Sequence, residues 1–245
     1  MITLGAYEKC RLYIEEKTRN APDQHKDRLV KEAHPCITIS RETGAGAAYV
    51  SEKLIDYLQY YSDPEESRWT FFDKKLIEKV LEDHNLPRTL SEYMREDKYK
   101  LLSSAVYEML GIHPSKWTLI QKTTESILQL ARMGNVVIVG RAANIITSKL
   151  RNAFHVRLVA PLENRIQKMM THYNMSEKEA TEFIRKEDIA RKNYVKSHFF
   201  KDVEDPTLYH LIVNTGLYNY EEAAMLIGNA VMLKFPRFFE HNKKK

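Results

Sequence analysis

The sequence predicts an α/β protein in which helices cover both faces of a parallel β-sheet. Along most of the chain, short apolar runs rich in β-branched residues alternate with segments whose apolar residues recur at helical spacing. This alternation is typical of parallel sheets, whose consecutive strands are joined by helices. With 245 residues, 43% of them hydrophobic, the chain can bury a sizeable core without disulfides or metals.

The predicted elements follow one another in a simple order. The predicted strands are 36–40, 69–72, 136–139, 154–160 and 208–213. The predicted helices with both bounds are 47–61, 73–83, 117–133, 176–197 and 220–233. A further helix is predicted to start at Pro161, with this proline in its first turn. Residues 86–133 as a whole are predicted to be mostly helical. Ser176 and Glu179 form a capping box, which fixes the start of the long charged helix.

Three regions are expected on this basis. Residues 1–33 form an N-terminal extension with one short amphipathic helix and a charged stretch. Residues 34–235 form the α/β domain, and residues 236–245 form a basic tail. The sequence leaves open whether the extension packs on the domain or joins two copies of the chain, so a homodimer stays a hypothesis.

Composition excludes several classes of protein. No apolar run approaches the roughly 20 residues of a membrane span, and residues 1–19 lack the pattern of a signal peptide. Two cysteines, Cys10 and Cys36, cannot form a disulfide framework, which favours a reducing, cytoplasmic location. The net charge of +5 favours anionic ligands without choosing among them. The nine histidines show no zinc-binding spacing, and no nucleophile elbow of a serine hydrolase is present.

A glycine-rich turn follows the first strand and opens the first long helix. Residues 41–46 read Arg-Glu-Thr-Gly-Ala-Gly. Glycines allow close approach of the backbone, and free N–H groups at a helix start point toward an anion, so Thr43, Gly44, Ala45 and Gly46 are candidates for binding phosphates. A merely tight connection between strand and helix is an equally good explanation of the turn alone.

Several motifs, taken together in their order and spacing, indicate a resemblance to a known protein family, which the glycine-rich turn alone does not. Residues 36–233 resemble the cytidylate kinase-like family of P-loop nucleotide kinases. The matching stretches are 37–46, the second strand and its exit at 71–77, the third strand at 137–141, the turn at 160–166, the charged helix with Lys186, Glu187, Asp188 and Arg191, and 205–206 with 212–215.

The resemblance implies phosphoryl transfer from ATP to a nucleoside monophosphate, typically CMP or dCMP, with Mg²⁺. It also implies a P-loop kinase fold, a five-stranded parallel sheet with helical acceptor-binding and lid segments. Closure of the lid would exclude water from the reacting phosphates. Such a reaction needs the positioning of anions by N–H groups, cations and metal more than it needs covalent chemistry.

Site residues follow from the resemblance only where the motifs match. The resemblance implies catalytic roles for Arg141, Arg185 and Arg191. It implies that nucleotide or phosphate is bound by Arg41, Thr43, Gly44, Ala45, Gly46, Asp73 and Arg165. Each has a plainer alternative. Asp73 is also a good helix N-cap, the lid arginines could line a solvated face, and Arg141 and Arg165 could form surface contacts.

The sequence departs from the expected motifs at two positions after the phosphate loop and at one position three residues after Arg141. Ala47 and Ala48 stand where a P-loop carries lysine and serine or threonine, and Asn144 stands where relatives often have an aspartate. No metal ligand can therefore be named. Two hypotheses compete: an active kinase that uses arginines instead of the lysine, and a nucleotide-binding sensor or scaffold that has lost catalysis. RNA binding is a third, less favoured hypothesis, because no RRM, KH or zinc-finger pattern is present.

Overall fold

A computed structural model describes residues 8–10, 12–14, 16, 33–63, 68–77 and 116–239. Within these residues the strands are β1 (Cys36–Arg41), β2 (Thr70–Phe72), β3 (Val136–Val139), β4 (Ala153–Val159) and β5 (Leu211–Asn214). The helices are α1 (Ala47–Tyr61), α2 (Lys116–Met133), α3 (Ala143–Ile146), α4 (Leu162–Tyr173), α5 (Glu177–Phe199) and α6 (Tyr220–Lys234).

The strands form one sheet in the order β2-β3-β1-β4-β5, and every neighbouring pair is parallel. β1 is central, with Ile37 opposite Val137 on β3 and Phe154 on β4. The predicted five-stranded parallel sheet flanked by helices is therefore confirmed. Because all strands run the same way, their carboxyl ends share one edge, where the predicted phosphate loop follows β1.

Each face of the sheet is covered by its own core, as expected for a parallel sheet. On one face Ile37 and Ile39 pack with residues of α1 and α6, such as Leu54 and Ile227. On the other face alternate strand residues pack with α2 and with residues near the N-terminus, in the set Cys10, Tyr13, Ile14, Cys36, Phe72, Ile127, Leu130 and Ile138. The sheet is thus held rigidly on both sides, and its edge can position a site.

Both ends of the described chain pack on this domain. Residues 8–10 and 12–14 are helical, and the buried Tyr13 donates its hydroxyl hydrogen to the carbonyl of Gly134. The N-terminal helix therefore packs on the domain of its own chain. At the other end Phe239 is 3% exposed, and its ring lies 6.3 Å from that of Trp69. The packed part of the chain reaches past residue 235.

Two predicted element boundaries were wrong. The last strand begins at Leu211 rather than at residue 208, because Asp205 caps a short 3-10 turn, Pro206–Leu208, by accepting the N–H of Thr207. Pro161 precedes α4 as its N-cap instead of lying in its first turn. Residues 78–83 of the second predicted helix, residues 86–115 of the mostly helical region and residues 240–245 of the basic tail lie outside the described residues. No described helix is long and apolar enough to cross a membrane.

Candidate active site

The phosphate loop, residues 42–46, joins β1 to α1 at the carboxyl edge of the sheet. Gly44 and Gly46 have φ angles of +84° and +79°, a region that favours glycine. A β-carbon on Gly44 would lie 2.9 Å from Cβ of Arg165, and one on Gly46 would overlap the ring of Tyr220. Gly46 is the N-cap of α1 and offers no side-chain acceptor, so the first amides of α1 are available to an anion.

The side chains of α4 and α5 surround the first part of this loop. Arg165 donates from Nη1 to the carbonyl of Thr43 at 3.2 Å and from Nε to the carbonyl of Ala160 at 3.0 Å. Arg191 donates from Nη1 to Oγ1 of Thr43 at 3.1 Å. The Thr43 amide donates to Oδ1 of Asp188 at 2.8 Å. Two cations and one carboxylate thus meet at a single loop residue.

Asp188 is bonded by both of these arginines. Nη1 of Arg165 lies 2.6 Å from Oδ2 of Asp188, and Nη1 of Arg191 lies 2.8 Å from Oδ1. Burial opposes the charge of this carboxyl, but bonds from Thr43 and Arg165 prevail and lower the pKa of Asp188 below its ordinary value. Asp188 is therefore ionised at neutral pH.

A second group of cations lies beside the loop. Arg41 ends β1, Arg141 follows β3, and Arg191 projects from α5. Burial, with the nearby charges of Arg191 and Arg141, lowers the pKa of Arg41 to about 10, although the carboxylates of Asp73 and Glu187 oppose the shift. These three guanidinium groups, brought from three elements, form a positively charged patch suited to a phosphate dianion.

Local contacts fix the patch. Gly140 has a φ of +84°, which favours glycine, and a β-carbon there would overlap Nη1 of Arg41 and displace that guanidinium. The Arg141 guanidinium carbon lies 5.7 Å from the centroid of the Tyr194 ring on α5, a cation–π contact. The arginines are therefore held by the fold before any ligand arrives.

The structure places the other predicted residues as follows. Oδ1 of Asp73 accepts the amide of Leu76 at 2.8 Å, which is the N-cap alternative, and its carboxylate also acts on Arg41. Ala45 is buried, and its carbonyl accepts the hydroxyl of Thr215 at 2.9 Å. Arg185 is exposed on α5 and takes no part in the contacts of the described residues that join α5 to the loop. Its lid role stays a prediction.

Sequence reasoning gave Tyr194 no role, counted Asp188 only as part of the charged helix, and considered Glu42 only as an acid that could replace a missing aspartate. Oε2 of Glu42 accepts the amide of Ala160 at 2.9 Å and ties the loop to the start of α4. Asp188 and Arg191 are three residues apart on a charged helix, which was the signal that an i, i+3 pair could face one partner. Nothing in the sequence says that this partner is the loop.

The described residues hold no group of three or more histidine, cysteine or acidic side chains that could bind a metal ion. At the helix start, Ala47 and Ala48 offer neither an ammonium group nor a hydroxyl. The carboxylates of Glu42 and Asp188 already face Arg165, at 3.6 Å and 2.6 Å. These residues do not form a resident Mg²⁺ site by themselves.

A glycine loop at the start of a helix, with arginines gathered at the edge of a parallel sheet, defines a P-loop protein of the kinase type. The chain belongs to the cytidylate kinase-like family, whose model matches residues 36–217. A cytidylate kinase of Methanocaldococcus jannaschii is 19% identical over 154 residues, which cover 62% of this chain and 86% of that enzyme.

Two further comparisons frame this result. An uncharacterized protein from Eubacterium ventriosum matches in structure with a TM-score of 0.60 and 20% identity, over 81% of this chain and 98% of that one. This likeness supports the fold. A uronate isomerase of Corynebacterium glutamicum is 26% identical over 116 residues, 47% of this chain, but the match spans only 22% of the enzyme's length.

Proposed function

We propose that this protein transfers a phosphoryl group from ATP to a nucleoside monophosphate, with CMP or dCMP as the first acceptors to test. The observation that carries the proposal is the juxtaposition of the phosphate loop with Arg41, Arg141 and Arg191 at one edge of the sheet. Phosphoryl transfer depends on holding two phosphate-bearing molecules in line and neutralising their charge, and this edge offers both devices.

The two halves of the site take different parts in this proposal. The loop and Arg165, which is fixed by the carbonyls of Thr43 and Ala160, receive the donor phosphates. Arg41 and Arg141 lie at strand ends and receive the acceptor phosphate. Arg191, which touches the loop and acts electrostatically on Arg41, lies between these two positions. It would stabilise charge on the group in transit.

Magnesium enters this proposal as part of the substrate. Mg²⁺ keeps several waters and needs only one or two protein carboxylates when it is bound to phosphates. A MgATP complex therefore fits a chain that forms no metal site of its own among the described residues. The carboxylates of Asp188 and Glu42 can approach such a complex once they break their contacts with the Arg165 guanidinium.

A specific observation favours a second candidate, a nucleotide-binding protein without turnover. Ala47 and Ala48 remove the lysine and the hydroxyl that usually act on the donor phosphates and the metal. Among the described residues of the loop and α1, the first lysine is Lys53, and it is bonded to the exposed Glu221 at 2.7 Å. Arginines must replace that lysine for the protein to be a kinase.

One assay separates the two candidates. ADP release is measured with ATP, Mg²⁺ and a panel of monophosphates, alongside calorimetric binding of ATP. Turnover that requires CMP or dCMP supports the kinase. Tight ATP binding with no turnover on any acceptor supports the nucleotide-binding protein, and no binding of ATP contradicts both.

The acceptor half of the proposal is tested by Arg141→Ala. Loss of a charge-assisted contact to phosphate should weaken binding of CMP by about 1–3 kcal/mol, measured by calorimetry. Arg151→Ala is the matched control, because Arg151 is exposed and precedes β4 at the opposite edge of the sheet. An Arg141 variant that binds CMP like the control would remove Arg141 from the site.

A further inference from the structure

Asp188 makes the contacts that a phosphate group in the loop would make. Its carboxylate accepts the Thr43 amide and the guanidinium groups of Arg165 and Arg191, at 2.8, 2.6 and 2.8 Å. An amide at a glycine-rich turn and two flanking arginines are the donors that bind oxyanions in proteins. The position beside Thr43 is thus filled by an anion of the chain itself.

The contact joins two separate parts of the fold. Thr43 belongs to the loop after β1, whereas Asp188 lies near the middle of α5, 145 residues further along the chain. The buried residues of α5 are Ala180 and Ile184 toward its start, packed with Met169 of α4, and Val195 toward its end. Between them, polar contacts attach the helix to the loop.

These polar contacts can be exchanged without disturbing the two cores that cover the sheet, because neither core contains a residue of α5. The Asp188 side chain can turn away from the loop while Arg191 keeps its own bond to Oγ1 of Thr43. Arg165 would stay behind, because its Nε and Nη1 are also bonded to the carbonyls of Ala160 and Thr43. Departure of the Asp188 carboxylate would therefore expose one loop amide and the guanidinium groups of Arg165 and Arg191 to a ligand.

We propose that Asp188 is an internal anion that closes the phosphate loop until a phosphate of the donor displaces it. This inference rests on the proposed function, because it assumes that the loop binds the donor. A phosphate and a carboxylate cannot share the Thr43 amide, since like charges at contact distance repel strongly in a half-buried site. Occupation of the loop is thereby coupled to displacement of the Asp188 side chain on α5.

The test is the affinity for pyrophosphate, a probe of the loop that needs no base and no acceptor. Calorimetry compares the wild-type chain with Asp188→Asn, which keeps the shape of the side chain and removes its charge. We expect the variant to bind pyrophosphate at least about fivefold more tightly, because no internal anion competes. Glu182→Gln removes the same charge from an exposed position on the same helix, and its affinity should stay within about twofold of wild type.

The outcomes are distinguishable. If wild type binds pyrophosphate and Asp188→Asn binds it equally or more weakly, Asp188 only positions the arginines, and the internal anion is refuted while the proposed function stands. If neither chain binds pyrophosphate, the loop is not a phosphate site, and the proposed function falls together with this inference. A cooperative thermal transition verifies that Asp188→Asn is folded; Asp188→Ser replaces it otherwise, with the same expected sign.

Discussion

Gly46 combines three constraints at one residue. Its φ is +79°, it is the N-cap of α1, and the space where a β-carbon would stand is filled by the ring of Tyr220. Tyr220 in turn stacks on Tyr49, with ring centroids 5.2 Å apart and planes 2° from parallel, and the ammonium group of Lys168 lies 4.7 Å from the Tyr220 centroid. The last loop glycine is therefore part of a packed aromatic layer as well as a turn.

Gly46→Ala should destabilise the protein more than Gly44→Ala. Both residues have left-handed backbone angles, for which alanine costs about 1–2 kcal/mol. At Gly44 the new β-carbon would lie 2.9 Å from Cβ of Arg165, whereas at Gly46 it would overlap the ring of Tyr220 more deeply. Chemical denaturation should give a loss of about 2–4 kcal/mol for Gly46→Ala, since the ring must also move. Equal losses of unfolding free energy in the two variants would mean that the Tyr220 ring moves aside at little energetic cost.

Arg165 is held firmly by the chain itself. Its side chain is 11% exposed and is bonded to Asp188 and to two carbonyl oxygens. Arg165→Gln should lower the free energy of unfolding by about 3–5 kcal/mol, because it leaves the Asp188 carboxylate with one cation fewer and two carbonyls without a donor. Lys53→Gln breaks an exposed pair with Glu221 and should leave the free energy of unfolding nearly unchanged.

At the scale of elements, α5 illustrates how local sequence fixes a helix whose partner it does not reveal. Ser176 and Glu179 form the predicted capping box, with the Ser176 amide donating to Oε2 of Glu179 at 2.9 Å. The helix extends to Phe199, near its predicted end. Its attachment to the loop through Asp188 could not be predicted, because the charge pattern of an exposed helix is the same with or without a partner.

Ser176→Ala should loosen the start of α5 without disturbing the two cores. Loss of an N-cap typically costs about 1 kcal/mol, and residues 176–183 are mostly exposed. Hydrogen exchange of amides in the first two turns should accelerate, while amides of β1 and β3 should keep their protection. Thr181→Ala, which removes a hydroxyl bonded to the carbonyl of Glu177, is the control within the helix. Faster exchange throughout the sheet would show that α5 unfolds together with the domain.

At the scale of the whole molecule, the sequence predicted the sheet well because both of its faces are buried. Strands such as Val136–Val139 are continuous apolar runs, and the connecting helices have clear periodicity, so order and type were readable from residues alone. The last strand was misplaced because Pro206 and Asp205 form a 3-10 turn beside an apolar segment. The convergence of Arg41 and Arg141 was predictable from their strand ends, whereas the contacts of Arg165 and Arg191 with Asp188 depend on how α4 and α5 pack across the loop.

The pH dependence of stability should reflect a buried histidine in the central strands. His155 on β4 is 6% exposed, and its Nδ1 lies 2.9 Å from Oγ1 of Thr38 on β1. Burial, with the nearby charges of His210 and Lys234, lowers the pKa of His155 to about 4 from an ordinary value of 6.5. The folded protein therefore keeps this ring neutral over a range in which the unfolded chain takes up a proton.

The sign follows directly from this difference. Above pH 6.5 the ring is neutral in both states and contributes nothing to the slope; between pH 6.5 and pH 4 only the unfolded state binds the proton, so stability falls as the pH is lowered. The loss from His155 approaches about 3 kcal/mol at pH 4, and His210, whose pKa is also lowered by burial, adds to it in the same direction.

His155→Gln should flatten this part of the profile. Glutamine fills a similar volume, can still bond to the hydroxyl of Thr38 and does not titrate, so urea denaturation from pH 7 to pH 4.5 should show a slope smaller by up to about 1.4 kcal/mol per pH unit. His172→Gln, at an exposed position on α4, is the matched control for removing an imidazole outside the sheet. A His155 variant that retains the wild-type slope would mean that the ring is protonated in the folded protein and that the charge is accommodated between β1 and β4.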